Sequence, residues 1–251
     1  MKDQDKNKIL NDALNFHHKG DLDKADSLYL QVLSIDPNDF NANHLHGCIL
    51  SQKRKYKDAI RFLSKSVELN GNNYEANNNL AIALKNDNNF DKAQSYLENA
   101  IKIDPRDYRA HYNLGNVLAQ IKNYKEAIKS FSTAFDCDSS FLDSKKRMGE
   151  VYQYIYQEDH NDSTLIKSEE CFLQVLEKNP YDINSLTLLG LIKLWKGDID
   201  KSHDIFQKIH KYQYENEKIL NEEINRILSN KNALATLIKH EYEQLTHIDN
   251  D

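Results

Sequence analysis

The 251-residue chain reads as an all-α solenoid of about six helix-turn-helix repeats, and three observations predict it. Ala25, Ala59, Ala93 and Ala127 follow one another at intervals of 34 residues. Three further columns keep that step: Gly47, Ala81, Gly115 and Gly149; Tyr29, Leu63, Leu97 and Phe131; and Leu22, Tyr56, Phe90 and Tyr124. A fixed period of this size is the signature of stacked supersecondary units. Within a period the apolar residues form two stripes at helical spacing, as with His111, Leu114, Gly115 and Leu118, then Ala127, Phe131 and Ala134. Only 7 Gly and 3 Pro punctuate the chain, too few for turn-rich β folds.

The elements follow in order. The first repeat, about 6–39, is anchored by Ala13, Ala25 and Tyr29 and closes on Asp36-Pro37. Repeats at about 40–73, 74–107 and 108–141 carry the same columns, and the third closes on Asp104-Pro105. Proline there opens the next unit and blocks continuation of the helix before it. KGDLDK, IKNYKE and KGDIDK supply the turn within a pair. The fifth repeat, 142–182, slips phase: Gly190 lies 41 residues after Gly149, and Phe172 lies 41 after Phe131. One seven-residue insertion between Gly149 and Leu165 accounts for both, and the polar string Gln157 to Thr164 reads as a solvated loop extension. The sixth repeat spans 183–214, completing an array over 1–214. Residues 215–251 continue helical spacing through Leu220, Ile224, Leu228, Leu234 and Ile238, and read as one or two capping helices with a tail.

These columns resemble the tetratricopeptide repeat (TPR): small–Leu–Gly–large in a first helix, Ala–large–Ala in a second, then Pro. The resemblance covers roughly residues 6–214 and implies a right-handed α-solenoid with a concave groove lined by the first helices. Asn43, Asn77, His111 and Lys145 stand where the family has an aromatic residue. Ser168 and Ser202 replace Ala in the last two second helices, which suggests looser packing toward that end.

Composition excludes several function classes. Lys+Arg 33 against Asp+Glu 39 gives a net charge of −6, the wrong sign for a nucleic-acid binder. The apolar stretch Leu186 to Trp195 is broken by Lys193 and is too short for membrane insertion, and the N-terminus has no apolar signal core. Cys48, Cys137 and Cys171 form no CxxC pair, so reduced thiols in a cytoplasmic protein are the expectation. Every glycine is absorbed by the repeat, and GxGxxG, GxxxxGKS, HExxH and GxSxG are absent, so no enzyme is expected and no cofactor. No metal site is expected either: His44 and His46 diverge on their helix, His203 and His210 lack further ligands, and the insertion fits no EF-hand.

Carried over from the family position by position, the candidate groove residues are Asn78, Asn79, Arg109, Tyr112, Asn113, Asn116, Lys146, Arg147 and Glu150. Asn79 and Asn113 share one repeat position with Asn11, and resemble the asparagine ladder of O-linked N-acetylglucosamine transferases. Such amides can hold the backbone of an extended peptide whatever its sequence. The plain alternative is that Asn, abundant throughout, solvates an exposed face; Leu45, Arg147 and Leu188 interrupt the row. The family's two-carboxylate clamp is matched only at Asn113 and Arg147, since Asn78, Ile82 and Asp143 stand where its other residues belong. Arg109, Lys146 and Arg147 remain candidates to hold a ligand carboxylate.

The resulting expectation is a non-catalytic interaction scaffold that binds an extended peptide or partner helix. The alternative is the recognition portion of a glycosyl-, methyl- or sulfotransferase whose catalytic domain lies elsewhere.

Overall fold

The structure, a computed structural model, describes residues 2–213; the cap expected at 215–251 lies outside them. Among the described residues there are twelve helices and no strand. They belong to two compact units, one ending at Ser139 and the other beginning at Ser140.

The first unit contains α1 (Lys2–His18), α2 (Leu22–Ile35), α3 (Phe40–Gln52), α4 (Tyr56–Leu69), α5 (Tyr74–Asn86), α6 (Phe90–Ile103), α7 (Tyr108–Gln120) and α8 (Tyr124–Cys137). The second contains α9 (Asp143–Asp159), α10 (Asp162–Lys178), α11 (Ile183–Trp195) and α12 (Ile199–Gln213). Each odd-numbered helix packs on the next to make a pair. Within the first unit the pairs stack α2 on α3, α4 on α5 and α6 on α7, and in the second α10 stacks on α11. No helix could bury its stripe alone, so neighbouring pairs complete the core.

The columns of the sequence become the contacts of each pair. Ala25, Ala59, Ala93 and Ala127 are fully buried. A Cβ on Gly47 would lie 2.7 Å from Leu63, one on Gly115 2.6 Å from Phe131, one on Gly149 2.7 Å from Phe172 and one on Gly190 2.9 Å from Phe206. Glycine therefore sets the approach of the two helices wherever a large ring or Leu faces it. First helices other than α9 end with a 6→1 backbone bond, such as Asn123 N–H to Leu118 O at 2.8 Å, around one left-handed residue. Gly20 and Gly197 take that conformation freely, while Arg54, Asn88, Lys122 and His160 adopt it as non-glycine residues.

First helices are started by an aspartate or asparagine. Asp39, Asn73, Asp107 and Asp182 each accept a backbone N–H of the first turn, from Ala42, Ala76, Arg109 and Ser185, at 2.8–2.9 Å. In the fifth repeat Ser139 occupies the proline position and Phe141 the capping position. α9 accordingly starts from Leu142 without a side-chain cap, and the unit boundary falls at this point.

Three of the four residues replacing the family aromatic tie down the turn before their own helix. Asn43 Nδ2 donates to the carbonyls of Pro37 (3.0 Å) and Asp39 (2.8 Å). Asn77 Nδ2 donates to Gly71 (2.9 Å) and Asn73 (2.8 Å), and His111 Nε2 lies 3.0 Å from the Pro105 carbonyl.

Two expectations are corrected. The insertion is helical, because seven residues are close to two helical turns and an antiparallel pair absorbs one turn in each strand of the hairpin. α9 and α10 each have 17 residues, against 13 in α3, α5, α7 and α11 and 14 in α2, α4, α6 and α8. His160 and Asn161 alone connect them, Asn161 capping α10 through the Ser163 N–H. The added turns are solvated at the tip yet anchored below, where Tyr156 stacks on Trp195 with centroids 6.0 Å apart and Leu165 is fully buried. Nor do Ser168 and Ser202 loosen their pairs. Both are buried, and their hydroxyls donate to the carbonyls of Gly149 (2.8 Å) and Gly190 (2.9 Å), so each adds a cross-helix bond that alanine lacks.

Candidate functional site

In the first unit, α3 meets α5 and α5 meets α7, so one face of each first helix lies beside the next. The juxtaposition is polar. Asn79 Nδ2 reaches back to His44 Nε2 (3.0 Å) and Cys48 Sγ (3.3 Å), and Asn113 Nδ2 donates to Asn78 Oδ1 (3.0 Å). Each bond spans about one repeat. Because the amide donates, His44 Nε2 is the accepting nitrogen, which suits a neutral ring; burial holds the His44 pKa below its ordinary value. Burial also pushes the Cys48 thiol up to about 11, so it stays protonated and is a poor nucleophile at neutral pH.

The expected groove residues divide by role. Asn78 is buried, and its oxygen is occupied by Asn113. Asn79, Tyr112, Asn113 and Asn116 are half-buried on the same face, Tyr112 with its ring tilted against Phe131 at 5.7 Å. Asn79 and Asn113 commit their NH2 groups to the preceding repeat, while neither Oδ1 accepts a bond among the described residues or is buried without one. Arg109 is exposed but engaged: Nε and Nη2 hold the Asp107 carboxylate at 3.0 and 2.5 Å, and the guanidinium lies 5.1 Å from the centre of the Tyr74 ring. Burial works to raise the Asp107 pKa, but the hydrogen bonds from Arg109 outweigh it and hold the carboxyl below its usual range.

In the second unit Lys146 bridges Asp143 (2.6 Å) and Asp182 (3.3 Å), and Arg147 pairs with Glu150. Burial would lower the Lys146 pKa, yet the two aspartates raise it above the ordinary lysine value. Arg109, Lys146 and Arg147 thus each hold a carboxylate of the chain already, and a ligand carboxylate would have to displace it. Sequence reasoning missed His44, Asp107 and Asp182 as partners. The Asx column at the helix starts was the available signal for the last two.

Among the described residues no three His, Cys, Asp or Glu side chains are grouped to hold a metal ion, and no helix is long and apolar enough to cross a membrane.

Comparison with known proteins gives consistent results. Models described as tetratricopeptide repeat match residues 13–39, 40–73 and 78–140. No curated protein matches the sequence. Among solved structures, the pilF protein of Pseudomonas aeruginosa is similar with a TM-score of 0.68 at 18% identity, over 90% of this chain and 98% of that one. MamA from Desulfovibrio magneticus RS-1 gives 0.62 at 20% identity, over 71% and 97%. YrrB, described as a TPR protein with an unusual peptide-binding site, gives 0.58 at 17% identity, over 79% and 97%. At these identities the structures speak to the fold alone. With the repeat columns, the glycine contacts of the helix pairs and the matched family models all in agreement, the chain belongs to the tetratricopeptide repeat family.

Proposed function

We propose that this protein is a cytoplasmic protein-interaction scaffold that binds an extended peptide or partner helix along the first-helix face of its repeats. The observation that carries the reading is the pair Asn79 and Asn113, one repeat apart, each with its NH2 locked to the preceding repeat and its oxygen left open. Two acceptors at equivalent positions of adjacent repeats suit backbone N–H groups on one side of a peptide in an extended conformation. The rungs are ordered before binding, so the entropy cost falls mainly on the ligand. Free thiols at Cys48, Cys137 and Cys171 suit a reducing compartment. The likeness to YrrB, whose description names a peptide-binding site, is in keeping with the same use.

The test uses peptides selected from a displayed random library against the full chain. Replacing both rungs by leucine, the residue at Leu45 and Leu188 in the same column, removes the two acceptors. At about 1 kcal/mol per hydrogen bond, Asn79→Leu with Asn113→Leu should weaken the selected peptides roughly thirty-fold. Unchanged affinity in a variant that retains its helical signal and cooperative unfolding would overturn the proposal.

A further inference from the structure

We infer that Asn70 is a deamidation site, and that its conversion to isoaspartate opens the junction between α4 and α5. Asn70-Gly71 is the one Asn-Gly dipeptide in the sequence, and it occupies the turn between the second and third repeats. Succinimide formation needs two things of such a dipeptide: a side chain free to turn, and a following backbone nitrogen that carries a proton and is not otherwise engaged.

Three of the four equivalent turns deny both, and the fourth, Asp138-Ser139, has an aspartate with no amide to lose. Pro37, Pro105 and Pro180 stand where Gly71 does, and a proline nitrogen has no proton to lose. The residues before them are pinned as well. Asp36 accepts the Asn38 N–H at 3.0 Å, Asp104 the Arg106 N–H at 3.1 Å and Asn179 the Tyr181 N–H at 3.3 Å. At Asn70 neither restraint is present among the described residues: its side chain makes no such bond and the Gly71 N–H has no acceptor. Both residues are exposed.

The reaction needs only water. The Gly71 nitrogen, losing its proton, attacks Asn70 Cγ; the new N–Cγ bond forms as the Cγ–Nδ2 bond breaks, and Nδ2 leaves as ammonia with that proton. Water then adds to one of the two succinimide carbonyls. Opening at one side gives aspartate, and at the other isoaspartate, in which the main chain runs through Cβ and Cγ. The backbone of Asn70 at ψ 85° holds the Gly71 nitrogen away from Cγ. Attack therefore requires rotation about the Asn70 Cα–C bond, which breaks the 3.2 Å bond from Asn73 N–H to the Asn70 carbonyl. Conversion is gated by opening of this one turn. In isoaspartate the longer main chain carries the Gly71 carbonyl away from Asn77, a fully buried side chain that donates to it at 2.9 Å.

The full chain is incubated at mildly alkaline pH, then digested and mapped by mass spectrometry, with an isoaspartate-specific methyltransferase as second readout. Gly71→Pro is the control. It supplies the residue found in three of the other turns, and an added Cβ at Gly71 meets only the Val67 carbonyl at an ordinary 3.5 Å. The wild type should gain the mass of an NH2-to-OH exchange in the peptide holding Asn70 ahead of any other asparagine peptide, and accept methyl groups there. Gly71→Pro should lose both signals. An isolated peptide of residues 66–76 provides the reference clock. If it converts fully while Asn70 of the folded chain stays intact, or if another asparagine converts first, the inference is wrong.

Discussion

Replacing Gly115 by alanine tests whether the glycine column fixes the approach of the paired helices. The new Cβ would fall 2.6 Å from Cε1, 2.7 Å from Cδ1 and 2.9 Å from Cζ of Phe131. Ordinary contact begins near 3.4 Å, so the ring or the helix must give by several tenths of an ångström. Phe131 is fully buried and has Tyr112 against it, which leaves it little room to yield. Overpacking of this kind costs about 1–3 kcal/mol, and alanine recovers about 1 kcal/mol of helix propensity, so the net loss should be about 1 kcal/mol. The third repeat supplies the compensating change, because it pairs Ala81 with the smaller Leu97. Phe131→Leu alone leaves a gap, but together with Gly115→Ala it rebuilds the Ala81–Leu97 arrangement. The double variant should then be more stable than the two single losses predict, by a coupling of about 1 kcal/mol. Equilibrium urea unfolding followed by far-UV circular dichroism measures all four corners of the cycle. A Gly115→Ala protein as stable as wild type, or strict additivity in the cycle, would refute the close-approach argument.

Further predictions concern single features. Lys122 sits at φ 60° in the place that Gly20 and Gly197 fill, so Lys122→Gly should stabilise the chain by about 0.5–1 kcal/mol in the same assay; destabilisation would show that the left-handed turn carries no strain. Asn77 is fully buried, donates to two carbonyls and accepts from Asn99 at 2.9 Å, so Asn77→Ala should cost about 2 kcal/mol, and more than His111→Ala at the same repeat position. Burial works to raise the Glu169 pKa, but Lys193 and Lys196 outweigh it and hold the carboxyl below its ordinary value. A depressed folded pKa contributes stability above the unfolded value of about 4.5, and that stability is lost as the pH falls through the folded value. Glu169→Gln should therefore lower stability at neutral pH and flatten its acid limb, as measured by unfolding midpoints across pH; curves that stay parallel would show that the triad is not linked to folding.

The period, the pairing of helices and the opposition of glycine to large side chains were legible because each repeats in register, so one column predicts several contacts. The insertion was located by phase but its conformation was not, since Gln157 to Thr164 is as polar as a solvated helix tip requires and polarity does not separate that tip from a loop. Asn43 and Asn77 read as departures from an aromatic column, and only the fold shows the carbonyls of Pro37 and Gly71 within their reach. At the candidate face, the column places Asn79 and Asn113 on one side of their helices. That His44 and Asn78 would meet them across repeats depends on stacking geometry, which a single sequence does not display.

The lengthened hairpin of α9 and α10 also sets a rule for how this chain can grow. Because the two helices run antiparallel, residues added at their tip leave the base in register, and Gly149 still faces Phe172 as Gly115 faces Phe131. Growth is quantised: about seven residues add one turn to each helix and keep both side-chain faces aligned, whereas three or four shared between the helices would add half a turn to each and turn the new faces away. The tip at His160 and Asn161 is therefore the natural port for grafting a binding epitope, in steps of about seven residues, without disturbing the repeats beneath it.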